Sequence, residues 1–129
     1  MPPVITALYG ALNAVFNIAL AYRVSYLRGK YKVSIGAGSN DHMTVAIRQH
    51  ANNAEYLPLA LVMLLICELC GGDKTLMHIL GGGLLAGRIA HAVGLPQKQW
   101  NVWRFSGSAL TYLGFLGSAG YALYLRFTI

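Results

Sequence analysis

The chain has 129 residues, 56% of them hydrophobic and only 11% charged, with a mean hydropathy of +0.50. Soluble domains carry roughly 25% charged residues, so this chain lacks the polar surface to coat a globule in water and reads as an integral membrane protein. Its net charge of +6 does not point to nucleic acid, because the basic residues gather at the ends of apolar runs rather than along one face.

Crossing a bilayer takes about 20 mostly apolar residues per helix. Residues 3–22 form the first such run, without a charged side chain. It lacks the basic start of a secretory signal and is too long for the apolar part of one, so it is expected to stay as a first helix. Arg23, Arg28, Lys30 and Lys32 follow it. The second run opens with "TVAIRQHANNAEYLP" and turns apolar beyond Pro58, which should bend the helix because it lacks an N–H. Cys67 and Cys70 close this run as a C-x-x-C without the strand-then-helix context of a redox pair, and the scattered His residues offer no zinc set. A neutral "GGDK" connection leads to the third run, which carries His78, Arg88, His91 and the spacing Gly83-x-x-x-Gly87 expected at helix–helix or subunit contacts. Lys98 marks the next loop. The fourth run holds Gly107, Gly114, Gly117 and Gly120. The expected fold is all-α: a single-domain, integral membrane four-helix bundle with helices over about 3–28, 43–70, 75–94 and 101–127. The positive-inside rule places the first and third loops in the cytoplasm.

The polar residues inside these runs carry the functional signal. On a wheel of about 100° per residue, Arg48, Asn52 and Glu55 fall at about 0°, 40° and −20°, one stripe of the second helix. Arg88 and His91 share a face of the third helix. Arg104 opens the fourth, followed by Ser108 and Thr111. A charge at the centre of a membrane helix costs roughly 2.5–3.5 kcal/mol, so these groups should face the bundle interior or a watery cleft. Arg48, Arg88 and Arg104, with Arg23 from the first helix, oppose the single Glu55. That surplus asks for an anionic ligand.

"RQHANNAEYLP" on the second helix resembles the motif of the MAPEG family, the membrane-associated proteins of eicosanoid and glutathione metabolism. "GRIAHAVG" is similar to the family's third-helix segment, and Arg104 follows it at the spacing of the family's catalytic arginine. The resemblance covers nearly the whole chain. It implies a homotrimer that binds glutathione as co-substrate, with no metal, at Arg23, Arg48, Asn52, Glu55, Tyr56, Arg88, His91 and Arg104. Arg104 would be catalytic, stabilising the thiolate. Arg23, Arg48 and Arg88 would hold carboxylates, which guanidinium forks match, and Glu55 the ammonium. The implied activity is a transferase or peroxidase acting on a lipophilic small molecule from the membrane lipid. Ala51, Leu95, Phe105 and Ser108 depart from the Arg, Tyr and Ser residues of the prostaglandin- and leukotriene-synthesising members. General conjugation or peroxide reduction is therefore expected instead, in a bacterial inner membrane. A non-catalytic lipid- or glutathione-binding protein and a small anion transporter are the alternatives.

Overall fold

A computed structural model describes residues 2–96 and 99–128; Lys98 and the charge it lends the third loop lie outside them. The architecture is four α-helices, α1 (Val4–Tyr31), α2 (Asp41–Leu69), α3 (Lys74–Gly94) and α4 (Val102–Thr128). Among the described residues there is no strand. Three helices, α1 to α3, are long and apolar enough to cross a membrane. The sequence reading gave four such runs. α4 has the length, at 27 residues, but Arg104, its Ser and Thr residues and its many Gly and Tyr residues dilute its hydropathy. Its outward face is still apolar, with Phe105, Leu113, Leu116, Leu123 and Phe127 exposed.

The helix ends are fixed by local chemistry. The Asn40 side chain caps α2 by accepting from the Met43 N–H at 3.1 Å, and Asp73 caps α3 through the Leu76 N–H at 2.9 Å. Both satisfy N–H groups that a helix start leaves unpaired. α1 begins after two prolines without a side-chain cap of its own. Glu68 serves instead, taking the Ile5 and Thr6 N–H groups at 2.8 and 2.6 Å and tying the start of α1 to the end of α2. Asn101 does double duty between α3 and α4. Its Oδ1 accepts from the Arg104 N–H at 2.9 Å, while its Nδ2 donates to the Gly94 carbonyl at 2.9 Å.

α2 turns one face inward at helical spacing, with Met43, Ala46, Gln49, Asn53, Leu57, Ala60, Leu64 and Cys67 all buried. It is continuous through Pro58, which is exposed. Cys67 and Cys70 are both free thiols; Cys67 is buried against the Ser118 carbonyl and Cys70 is exposed.

Close packing of α3 on α4 rests on Gly87, Gly94 and Gly107. A Cβ at Gly107 would lie 2.4 Å from the His91 nitrogen and 2.7 Å from the Gly87 oxygen; at Gly94 it would lie 2.3 Å from the Arg104 nitrogen. Gly83, expected at a contact from its spacing with Gly87, faces open space, as do Gly114 and Gly120. Gly107→Ala should force the two backbones apart, costing about 1–3 kcal/mol as overpacking does. Thermal unfolding in detergent would read it as a lowered midpoint.

Candidate functional site

The buried polar residues form a chain whose hydrogen-bond directions follow from its cations. A guanidinium can only donate. Arg88 on α3 is 2% exposed, and its Nε donates to Asn53 Oδ1 at 3.1 Å, its Nη2 to Asn52 Oδ1, and its Nη1 to Thr111 Oγ1 at 3.4 Å. The oxygens of Asn52 and Asn53 are therefore fixed toward Arg88. Asn53 turns its Nδ2 outward and donates to Asn17 Oδ1 at 3.0 Å, joining α1 to the cluster. Thr111 completes the set by donating to the Gly107 carbonyl at 2.8 Å. The Tyr56 ring covers the guanidinium, 5.5 Å from its centroid. A buried cation here is held by neutral acceptors and an aromatic face, the arrangement that lets a charge persist away from water.

The same logic orders the α1 side. Arg23 donates to Gln49 Oε1, so Gln49 is free to donate through Nε2 to the Ala92 carbonyl at 2.6 Å. Gln49, 4% exposed, thus carries a connection from α1 through α2 to the residue beside His91.

Next to this cluster lies a cleft of about 210 Å³, lined by Thr44, Val45, Arg48, Asn52, His91, Leu95 and Arg104. Arg48 and Arg104 are exposed there. The Asn52 oxygen faces Arg88, which leaves its NH₂ as the group available to the cleft. His91 is 6% exposed and its Nδ1 is buried without a hydrogen-bond partner. No carboxylate lines the cleft among the described residues. Such a lining suits a ligand rich in anionic acceptors.

The structure brings together Arg48, Asn52, His91 and Arg104. Arg88 reaches the cleft only through Asn52, and Arg23 is bonded to Gln49, which lies outside the cleft lining. Glu55 and Tyr56 line a second, open groove of about 620 Å³ between α2 and α4, with Leu59, Tyr112, Phe115 and Leu116. Its wall carries a Tyr56–Tyr112 hydroxyl contact of 3.3 Å. Cleft and groove follow each other along the same two helices, since Arg48, Asn52, Glu55 and Leu59 run at three- and four-residue steps on α2. Gln49, Asn53 and Asn17 were not singled out by sequence. The first two fall in the register of buried apolar positions on α2, and a polar residue in that register is the signal that marks them.

A family model described as the MAPEG family matches residues 6–124. The chain belongs to this family. Two curated relatives, each named inner membrane protein YecN, come from Escherichia coli strain K12 and from strain O6:H1. Each is 37% identical over 112 residues, covering 87% of this chain and 85% of the relative. No solved structure matches the chain. As a MAPEG protein, the chain is a helical membrane protein, and the α2 segment RQHANNAEYLP contributes Asn52, Asn53 and Tyr56 to its polar cluster.

Proposed function

We propose that this MAPEG protein is a membrane-bound, glutathione-dependent transferase or peroxidase, with the α2–α3–α4 cleft as its thiol-peptide site. One observation carries the reading: two exposed guanidinium groups and an amide NH₂ share a cleft, walled by His91, that no carboxylate lines among the described residues. Glutathione brings two carboxylates, an ammonium and a thiol that becomes anionic when it reacts. In this assignment Arg48 takes a carboxylate and Asn52 donates to a carboxylate or peptide oxygen. His91 meets the peptide backbone, and Arg104 faces the thiolate. Glu55, one turn beyond Asn52, is the partner for the ammonium, and Tyr56 borders it. Arg88 acts from behind through Asn52, while Arg23, through Gln49, braces the Ala92 carbonyl beside His91.

The groove past Tyr56 is apolar and open, so a lipophilic electrophile or hydroperoxide is assigned to it, arriving from the bilayer. The family resemblance supports a homotrimer, the YecN relatives, which are inner membrane proteins, support placement in a bacterial inner membrane, and the basic residues of the first and third loops support a cytoplasmic side for both.

Titration of the detergent-solubilised protein with glutathione, followed by a conjugation assay with an aromatic halide and a reduction assay with a lipid hydroperoxide, tests the reading. Saturable binding with turnover is expected. Absence of both binding and turnover would sink the reading. Binding without turnover of either substrate would establish the non-catalytic alternative in its place.

A further inference from the structure

The end of α1 carries features that the thiol-peptide cleft does not use. Arg23, Arg28, Lys30 and Lys32 fall within ten residues, and the only acid before Glu55 is Asp41. Positive charge alone would suffice to orient a membrane helix, yet this segment is also shaped. Lys32 ends α1 in a left-handed conformation, φ 54°, and its N–H returns to the Arg28 carbonyl. Arg28 then straps the following loop, its Nη1 donating to the Val33 and Gly36 carbonyls at 3.2 and 3.0 Å. Gly38 closes against Val33 so tightly that a Cβ there would lie 2.7 Å from a Val33 methyl carbon. Ala37 packs inward on the cluster of Leu27, Met43 and Ala46.

Within this tied loop Ile35 is 91% exposed. A loop held down on both sides leaves its one large aliphatic residue pointing away from the protein. Beside it is an open hollow lined by Arg28, Gly29, Lys32, Val33 and Ser34. On the helix leading to it, Tyr22 and Tyr26 are exposed one turn apart, at 71% and 59%, with exposed Lys30 one turn further. Exposed Tyr followed by Lys is the order of groups met on passing from hydrocarbon through the headgroup layer to water.

We propose that the end of α1 and its strapped loop form a docking site for an anionic phospholipid. Lys30, Lys32 and the Ser34 hydroxyl hold the headgroup phosphate, and Ile35 inserts into the interfacial layer beside it. Cations close to an anionic leaflet and an apolar side chain entering it reinforce one another. The site is separate from the cleft, so its test does not depend on glutathione.

The full chain, reconstituted in vesicles of phosphatidylcholine and phosphatidylglycerol in equal amounts, is extracted in mild detergent and weighed with its retained lipids by native mass spectrometry. Phosphatidylglycerol should be retained over phosphatidylcholine by about fivefold or more, the factor that a single cation near an anionic surface supplies. Lys30→Gln with Lys32→Gln should bring the ratio close to one, and Ile35→Ser should lower total retention. Lys74→Gln, at the start of α3, should change neither. Equal retention of the two lipids by the wild type would overturn the proposal, as would an unchanged ratio in the double variant. Saturable binding of inorganic phosphate in pure phosphatidylcholine vesicles, without phosphatidylglycerol enrichment, would also overturn it and mark a free-anion site.

Discussion

Arg104→Ala is expected to lower glutathione turnover by about 10²–10³-fold, the usual loss when one preorganised donor to a developing anion is removed. A unit charge about 4 Å from the thiolate, at an effective dielectric near 20, is worth roughly 4 kcal/mol before screening. Even half of that lowers the thiol pKa by about 1.5 units from its free value near 8.5. With Arg104 present, about half or more of the bound thiol is therefore ionised at neutral pH. Without it the thiol titrates at its ordinary value, and the deficit should shrink as pH rises past about 8.5 because solvent then supplies the thiolate. The pH–rate profile thus separates loss of thiolate stabilisation from simple damage. The fold should survive, since the side chain is exposed and α4 is started by the Arg104 backbone N–H on Asn101, which alanine keeps. Arg104→Lys should recover part of the rate. A variant with an equal deficit at every pH would remove Arg104 from thiol activation.

Much of the bundle is legible in the sequence because a bilayer imposes one simple rule, a long apolar run for each helix. α4 is where that rule blurs. Its Gly107, Thr111 and Gly117 pack against α3 rather than face lipid, and its small and polar residues reduce its mean hydropathy without shortening it. The site is legible in its residue types but not in its layers. Arg48 and Arg88 look alike in sequence, each an arginine in a greasy helix. In the structure one borders an open cleft, and the other is sealed beneath Tyr56 by two asparagines and a threonine. Only the register of neighbouring helices separates them. Glu55 lies on the same stripe as Arg48 and Asn52, as the wheel requires, but one turn further it already belongs to the apolar groove. The register of α2 marks Gln49 as an inward polar residue, but its partner, a carbonyl 43 residues away on α3, is set only by the packing of the helices.

Asn52→Asp is expected to separate stability from binding. Asn52 Oδ1 already accepts from Arg88, so aspartate keeps that acceptor and gives the buried guanidinium a counter-charge. The thermal midpoint in detergent should stay at the wild-type value or rise, tempered by the cost of desolvating a half-buried carboxylate. The other effect has the opposite sign. The second oxygen replaces the NH₂ offered to the cleft, so a donor becomes an acceptor and a negative charge stands beside the anionic ligand. At about 4 Å and an effective dielectric near 20 this repulsion is worth roughly 4 kcal/mol before screening. Half of that, added to a lost donor worth about 1 kcal/mol, weakens glutathione binding by about 100-fold. Asn52→Leu supplies the contrast. It leaves an Arg88 N–H without its acceptor, so it should destabilise the fold by about 1–3 kcal/mol, yet it adds no charge to the cleft and should weaken binding less than aspartate does. A titration in which Asn52→Asp binds glutathione as tightly as wild type would show that the amide nitrogen does not face the ligand. Arg88 would then be a structural cation with no hand in the site.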